Sequence, residues 1–356
     1  MRARGAVAAA LGLAVGLGVA GPAGAASRTV TLDGWFDHAA ALSGAGLVVS
    51  EAATVHVDPR RIAGSPPGAA PFDYYRAETS RVRLNAARTR FEGTLETPVS
   101  VRSSIAAMGS GILAPGGAGS FVTAPSSRRA AAPVIWCCDP EGVETVVESD
   151  GRADAPVTLA ATVDGGRVRF LQARADGGAV LVGVDPVGLG ERRTAVDVPV
   201  RTGAGLAALA PGLLAWVDPA APAVLARAPA GDAGLGGVAV TALPGPAVRV
   251  WASRGLVVVA ARVGAGVRLI RVDVATGAAR GVWSGARVPR VSVGGGAVAV
   301  GDGRRVLASR SGVLRPVGRG RGPLAAVAVD GRRVALLERV RARGARVTVA
   351  RLRPVP

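Results

Sequence analysis

"VWASRGLVVVAAR" (250–262), followed three residues later by "GVRLIRVDVATGAARGVW" (266–283), decides how this chain folds. The first stretch is two apolar runs that meet at Arg254-Gly255, and the second is two more that meet at "VATG". β-Branched residues fill the runs, and glycine supplies the backbone freedom of a tight turn. Four short strands in succession make one antiparallel unit. The i, i+3, i+4, i+7 spacing of an amphipathic helix is missing here and along the rest of the chain beyond the first 26 residues.

The unit repeats. Its first hairpin returns in "LAATVDGGRVRFLQA" (159–173), "LAALAPGLLAWVD" (206–218), "VSVGGGAVAVGD" (291–302) and "VAVDGRRVALLER" (327–339). Weaker copies are "AALSGAGLVVSE" (40–51) and "SIAAMGSGILAP" (104–115). The turn glycines Gly165, Gly212, Gly255, Gly295 and Gly331 fall about 40 residues apart. Second pairs of strands follow in "SRVRLNAARTRFEGTL" (80–95) and "AVLVGVDPVGLGERRTAVDV" (179–198). Four strands at this spacing are the pattern of β-propeller blades.

The expectation is therefore an all-β chain in which residues 27–356 form one propeller of seven four-stranded blades, with six compatible with the irregular early spacing. The final unit supplies only three strands, ending at "ARVTVARL" (345–352). "RTVTL" (28–32) is expected to join it as the fourth, which closes the ring and leaves few exposed edges. The repeat resembles the bacterial exported propellers of the TolB, YVTN and PQQ-like groups. Asp273, Thr276, Gly277 and Trp283 are similar to the D-x-x-T-G…W turn of PQQ-type blades. The resemblance implies an architecture and carries no catalytic or cofactor site with it.

Residues 1–26 read as a secretory signal peptide: Arg2 and Arg4, then the uncharged run "AVAAALGLAVGLGVA" (6–20), then small residues up to Ala25 and Ala26. The run is shorter than a spanning helix needs. The mature chain is expected to be secreted, periplasmic or in the cell envelope, a monomer with no membrane span. The net charge is +18, and every basic residue is Arg. The arginines are scattered and aromatics make up 3%, which argues against specific nucleic-acid recognition and leaves a general attraction to polyanions.

Chemistry-bearing residues are few. His38 follows Asp37, and His56 stands two residues before Asp58. Neighbours on an extended chain face opposite ways, so Asp37 is badly placed to orient His38. No catalytic residue, metal site or cofactor is assigned. Cys137 and Cys138, in "VIWCCDPEG" (134–142), are adjacent and lack the C-x₂₋₄-C spacing of zinc ligands. Two readings stay open for them: separate thiols on opposite faces of a strand, or a vicinal disulfide that stiffens the following turn.

Residues 58–79 read as an irregular loop, since Pro66-Pro67 and the Gly/Ala run break regular structure. Phe72, Tyr74 and Tyr75 within it are candidates for an interface. Residues 114–133 read as a second flexible excursion. The function expected is a non-catalytic exported scaffold that binds a protein or an acidic envelope polymer. The alternative is a propeller enzyme, a hydrolase, lyase or quinone-dependent dehydrogenase, with its site at one face of the ring.

Overall fold

Side chains branched at Cβ sit comfortably on a pleated surface, and the apolar runs of this chain are rich in them. The computed structural model describes residues 29–33, 37–42, 46–57, 72–87, 89–103, 112–115, 120–124, 134–137, 158–164, 167–174, 176–185, 192–203 and 205–356. Their regular elements are all strands, and no helix among them is long and apolar enough to cross a membrane. The signal-peptide segment 1–26 lies outside the described residues.

Strand β1 (Thr29–Asp33) comes first and is set apart. The first sheet runs β2 (Asp37–Leu42), β3 (Gly46–Val57), β4 (Phe72–Leu84) and β5 (Phe91–Ser103). Three strands make the second: β6 (Ile112–Pro115), β7 (Ser120–Ala124) and β8 (Val134–Cys137). The third holds β9 (Thr158–Asp164), β10 (Arg167–Ala173), β11 (Ala179–Asp185) and β12 (Arg192–Val198). The fourth orders β13 (Ala207–Ala210), β14 (Leu213–Val217) and β15 (Val224–Gly231), with β16 (Gly234–Leu235) and β17 (Ala239–Ala242) both paired to β15. The fifth is β18 (Ala247–Ser253), β19 (Leu256–Val263), β20 (Gly266–Asp273) and β21 (Ala279–Gly285). The sixth is β22 (Arg290–Gly294), β23 (Ala297–Asp302), β24 (Arg305–Ser309) and β25 (Arg315–Arg319). The last has β26 (Leu324–Val329), β27 (Arg333–Ala342) and β28 (Ala345–Pro354).

Every pairing is antiparallel, as two-residue turns require. The last sheet gains its fourth strand from the other end of the chain. β1 pairs with β28, from Thr29 opposite Arg351 to Asp33 opposite Val347. The first strand of each sheet also lies against the first strand of the next: β2 by β6, β6 by β9, β9 by β13, β13 by β18, β18 by β22, β22 by β26, and β26 by β2.

The core is a series of layers between neighbouring sheets. One layer joins Leu47 and Phe91 of the first sheet to Leu337 and Leu352 of the last. Another joins Leu213 and Leu225 of the fourth to Val257 and Ile270 of the fifth. A third joins Val306 and Ala299 of the sixth to Val334 and Leu336 of the last. A middle strand is thus covered on both faces, and in β19 Val257, Val258, Val259, Ala260 and Ala261 are all 0% exposed. This explains why the sequence shows unbroken apolar runs where a sheet with one wet face would alternate.

Two sequence expectations need correction. The loop assigned to 58–79 is in part a strand, because β4 begins at Phe72 and pairs with β3 from Val57 opposite Phe72 to Gly46 opposite Arg83. Aromatic residues favour the extended chain, and that preference outweighs the nearby prolines; residues 58–71 lie outside the described residues. The excursion assigned to 114–133 contains β7, in which Phe121, Val122 and Thr123 are good strand formers. Ile112–Pro115 pairs forward with that strand; the rest of the weaker copy at 104–115 lies outside the described residues.

Where sheets come closest, a side chain does not fit. A Cβ on Gly294 of β22 would run into the carbonyl oxygen of Val329 on β26, with the carbonyl carbon at 3.1 Å. Ser292 Oγ accepts the Val329 N–H at 3.1 Å beside it. Gly294→Ala should therefore destabilise the fold by about 1–3 kcal/mol, as overpacked sites do. Gly231→Ala, with nothing within 4 Å of the added carbon, should stay within about 0.5 kcal/mol of the parent. Urea denaturation of the two variants checks the difference.

Candidate functional site

Residues singled out in the sequence lie on separate parts of this frame. His38 is on β2 opposite Glu51, and His56 is on β3 opposite Asp73. His56 stands five residues along β3 from Glu51, about 17 Å of strand, so the backbone does not bring the histidines together. Asp37 pairs with Ala52 on the backbone, and Asp58 lies outside the described residues. Phe72, Tyr74 and Tyr75 stand on β4 opposite Val57, Val55 and Thr54. Cys137 ends β8 opposite Ser120, in a different sheet; Cys138 lies outside the described residues. Among the described residues no three His, Cys, Asp or Glu side chains gather as a metal-binding group.

The turn between β20 and β21 has the internal bonding that Asp273, Thr276 and Gly277 imply. Asp273 Oδ1 accepts the backbone N–H of Thr276 at 2.8 Å and its hydroxyl at 2.9 Å. Gly277 takes a φ of 73°, where only glycine is unstrained. These donors, the Thr276 backbone first, hold the Asp273 carboxyl below its ordinary value of 3.8. Trp283 packs partly buried against the core between the fifth and sixth sheets. From the fourth sheet, buried Arg227 donates to Val274 O at 3.3 Å and to Thr241 Oγ1 at 2.6 Å, which ties this turn to its neighbour.

Other carboxylates are committed in the same way. Glu338, 1% exposed, accepts the backbone N–H groups of Arg321 and Gly322 and lies 2.5 Å from Arg351 Nε. Asp232 reaches Arg169 across the third and fourth sheets at 3.2 Å. Asp218 Oδ1 accepts the Ala220 N–H at 2.8 Å in its own turn. Cations are not balanced in this way. Residues 205–356 hold 23 of the 43 arginines but only six of the 25 acids, so this part carries nearly all of the net charge of +18. The sequence contained that signal, but a charge summed over the whole chain conceals it.

Part of this charge borders a depression where turns of three sheets meet. The β22–β23 turn abuts the β26–β27 turn so closely that a Cβ on Gly331 would lie 2.5 Å from the Gly295 carbonyl oxygen. One on Gly295 would lie 2.6 Å from that of Asp330. These two glycines make a floor without side chains. The β4–β5 turn stands beside it, shaped by Asn85 Oδ1, which accepts the N–H groups of Thr89 at 2.7 Å and Arg90 at 3.0 Å.

Thr89, Arg310, Asp330, Arg332 and Arg333 wall an open volume of about 660 Å³. Arg333 Nη2 lies 2.7 Å from Asp330 Oδ2, and the Arg333 backbone N–H donates to Oδ1 at 2.9 Å. The Nε and Nη1 atoms of Arg333 are shielded from solvent and have no acceptor. A buried donor left without a partner costs about 1–3 kcal/mol. Three cations against one carboxylate in a recess with protein walls concentrate a positive potential.

Removing the Thr276 hydroxyl tests the turn chemistry. A group whose folded pKa is depressed contributes stability above its unfolded value and loses it as pH falls through the folded one. Thr276→Val should therefore be less stable than the parent at neutral pH, with the gap narrowing as pH drops below 3.8. Denaturation midpoints at pH about 7 and about 2.5 measure it; an unchanged gap would show that the hydroxyl does not act through the carboxylate charge.

No protein-family model and no curated protein matches the chain. Solved structures do. TolB from Acinetobacter baumannii matches at 19% identity and a TM-score of 0.41, over 76% of this chain and 64% of that one. A Mycobacterium tuberculosis puromycin-hydrolyzing peptidase matches at 13% and 0.47, over 87% and 49%. A chain of a nidogen/laminin complex matches at 12% and 0.39, over 65% and 86%. The chain thus resembles β-propeller proteins at low identity, and the resemblance is one of architecture.

Proposed function

We propose that residues 27–356 form one closed propeller of seven blades, and that the protein is an exported, non-catalytic scaffold for an acidic envelope polymer or an acidic protein surface. The cyclic succession of first strands from β2 through β26 and back to β2 supports the ring, as does the pairing of β1 with β28. The basic character of residues 1–4, the apolar run and the small residues near Ala26 support export.

The observation that carries the binding reading is the division of charge. Over residues 205–356 most carboxylates are bound into turns or ion pairs, while many arginines, such as Arg304, Arg305, Arg315 and Arg319, stand exposed. Surface cations in such surplus attract an acidic polymer over a distance set by screening. Acids held in turns are also poorly placed to act as general acids or bases.

The experiment is retention of the protein on immobilised polyglutamate. It should be strong at about 0.05 M salt and lost by about 0.5 M, as the screening length contracts. Replacing Arg304, Arg305, Arg315 and Arg319 together by Gln should shift elution to lower salt. Retention that ignores salt, or equal retention on dextran, rejects the reading. Fractionation completes the test: a mature chain starting near residue 27 is expected outside the cytoplasm, and an uncut cytoplasmic chain rejects export.

A further inference from the structure

We propose that the depression between the β4–β5, β22–β23 and β26–β27 turns is a seat for a single phosphate group, held by Arg310, Arg332 and Arg333 with the Thr89 hydroxyl. This rests on the anion-binding reading above and gives it one address and one chemistry. Arg333 is the fixed part of the seat. Asp330 grips its Nη2 edge at 2.7 Å and prevents the head from swinging out to water. Two of its nitrogens are left without acceptors, so the charge is held in place with part of its donor set unused.

Arg310 and Arg332 are the movable part. Both are exposed and both wall the same recess, so they can close on a guest oxygen from the solvent side. Arg333 adds its fixed charge to the attraction, while its shielded Nε and Nη1 make no direct bond to the guest. The floor of the recess is closed, because the turns that carry Gly295 and Gly331 pack backbone to backbone.

Charge selects the guest. Three guanidinium groups against Asp330 leave a surplus of two, which a phosphate monoester matches and a lone carboxylate only half satisfies. Planar guanidinium forks also fit the several oxygens of phosphate better than a point-like ammonium does. The volume of about 660 Å³ exceeds what the anion needs, so the group can arrive attached to a sugar or polyol.

Calorimetric titration of the full mature chain at low salt tests the seat, with inorganic phosphate, a glycerol-phosphate oligomer and acetate as probes. One phosphate should bind per chain, and acetate should bind about tenfold more weakly. Arg310→Gln with Arg332→Gln should weaken phosphate at least about tenfold. Arg262→Gln with Arg268→Gln, the same loss of charge on the fifth sheet, which lends no residue to the recess, should leave it unchanged. Arg333→Gln, which removes the fixed charge, should weaken phosphate more than acetate. An oligomer that binds more tightly than the free ion identifies a polymer as the source; equal affinity identifies the free ion.

Equal weakening by both arginine pairs, or equal binding of phosphate and acetate, overturns the seat and leaves only a diffuse field. Stoichiometric phosphate binding without retention on polyglutamate would uphold the seat and reject the scaffold. Retention without saturable phosphate would do the reverse.

Discussion

Close approach of one sheet to the next is the constraint on which the rest of this structure depends. Small side chains make it workable: Val, Ala and Gly fill the layers, and in β19 and β26 nearly every position is buried. Packing at this density stabilises through many weak contacts, each sensitive to a single added carbon. Gly294 against Val329, and Gly295 against Gly331, mark where the backbones themselves nearly touch. Aromatic rings are few but do enter the packing: Phe91 and Trp216 lie within layers, and Trp251 and Trp283 pack beside one.

Buried polar groups serve that packing. Arg227 and Glu338 lie where chain from one strand must be fixed to chain from another, and each satisfies backbone groups that would otherwise be stranded. Ion pairs at the surface, such as Arg174 with Asp197 and Asp176, contribute little by comparison. The acids of the C-terminal half are thus employed in holding the fold, and the arginines that exceed them are left to face outward. Excess charge on this surface is a by-product of how the few carboxylates are used.

Much of the architecture was legible because one physical signal repeats. Apolar runs broken by glycine at a steady interval specify hairpins, and Asp273-x-x-Thr276-Gly277 specifies its own turn without help from elsewhere. Even the partner of β28 could be read, by counting strands in the last unit and finding one short. What could not be read depends on contacts between units. Arg333 looks like any other arginine in "VDGRRVALLER" until the neighbouring turns place Gly295 and Thr89 beside it. The β4 aromatics were misread for a related reason. Local prolines were visible, but the long pairing partner that keeps Phe72 to Tyr75 extended lies on β3.

The β1–β28 pairing has a further consequence, for the order of assembly. Each of the other strands finds its partners within its own unit, soon after it is made. β1 alone is synthesised first and must wait for a partner that emerges almost last. Until then β1 has no partner and β28, paired with β27, keeps one open edge, which is exposed to pairing with another molecule. Among the described pairings this one closes the longest loop, and it comes with the largest loss of chain entropy. Once made, the same bonds hold the first and the last of the described strands to each other.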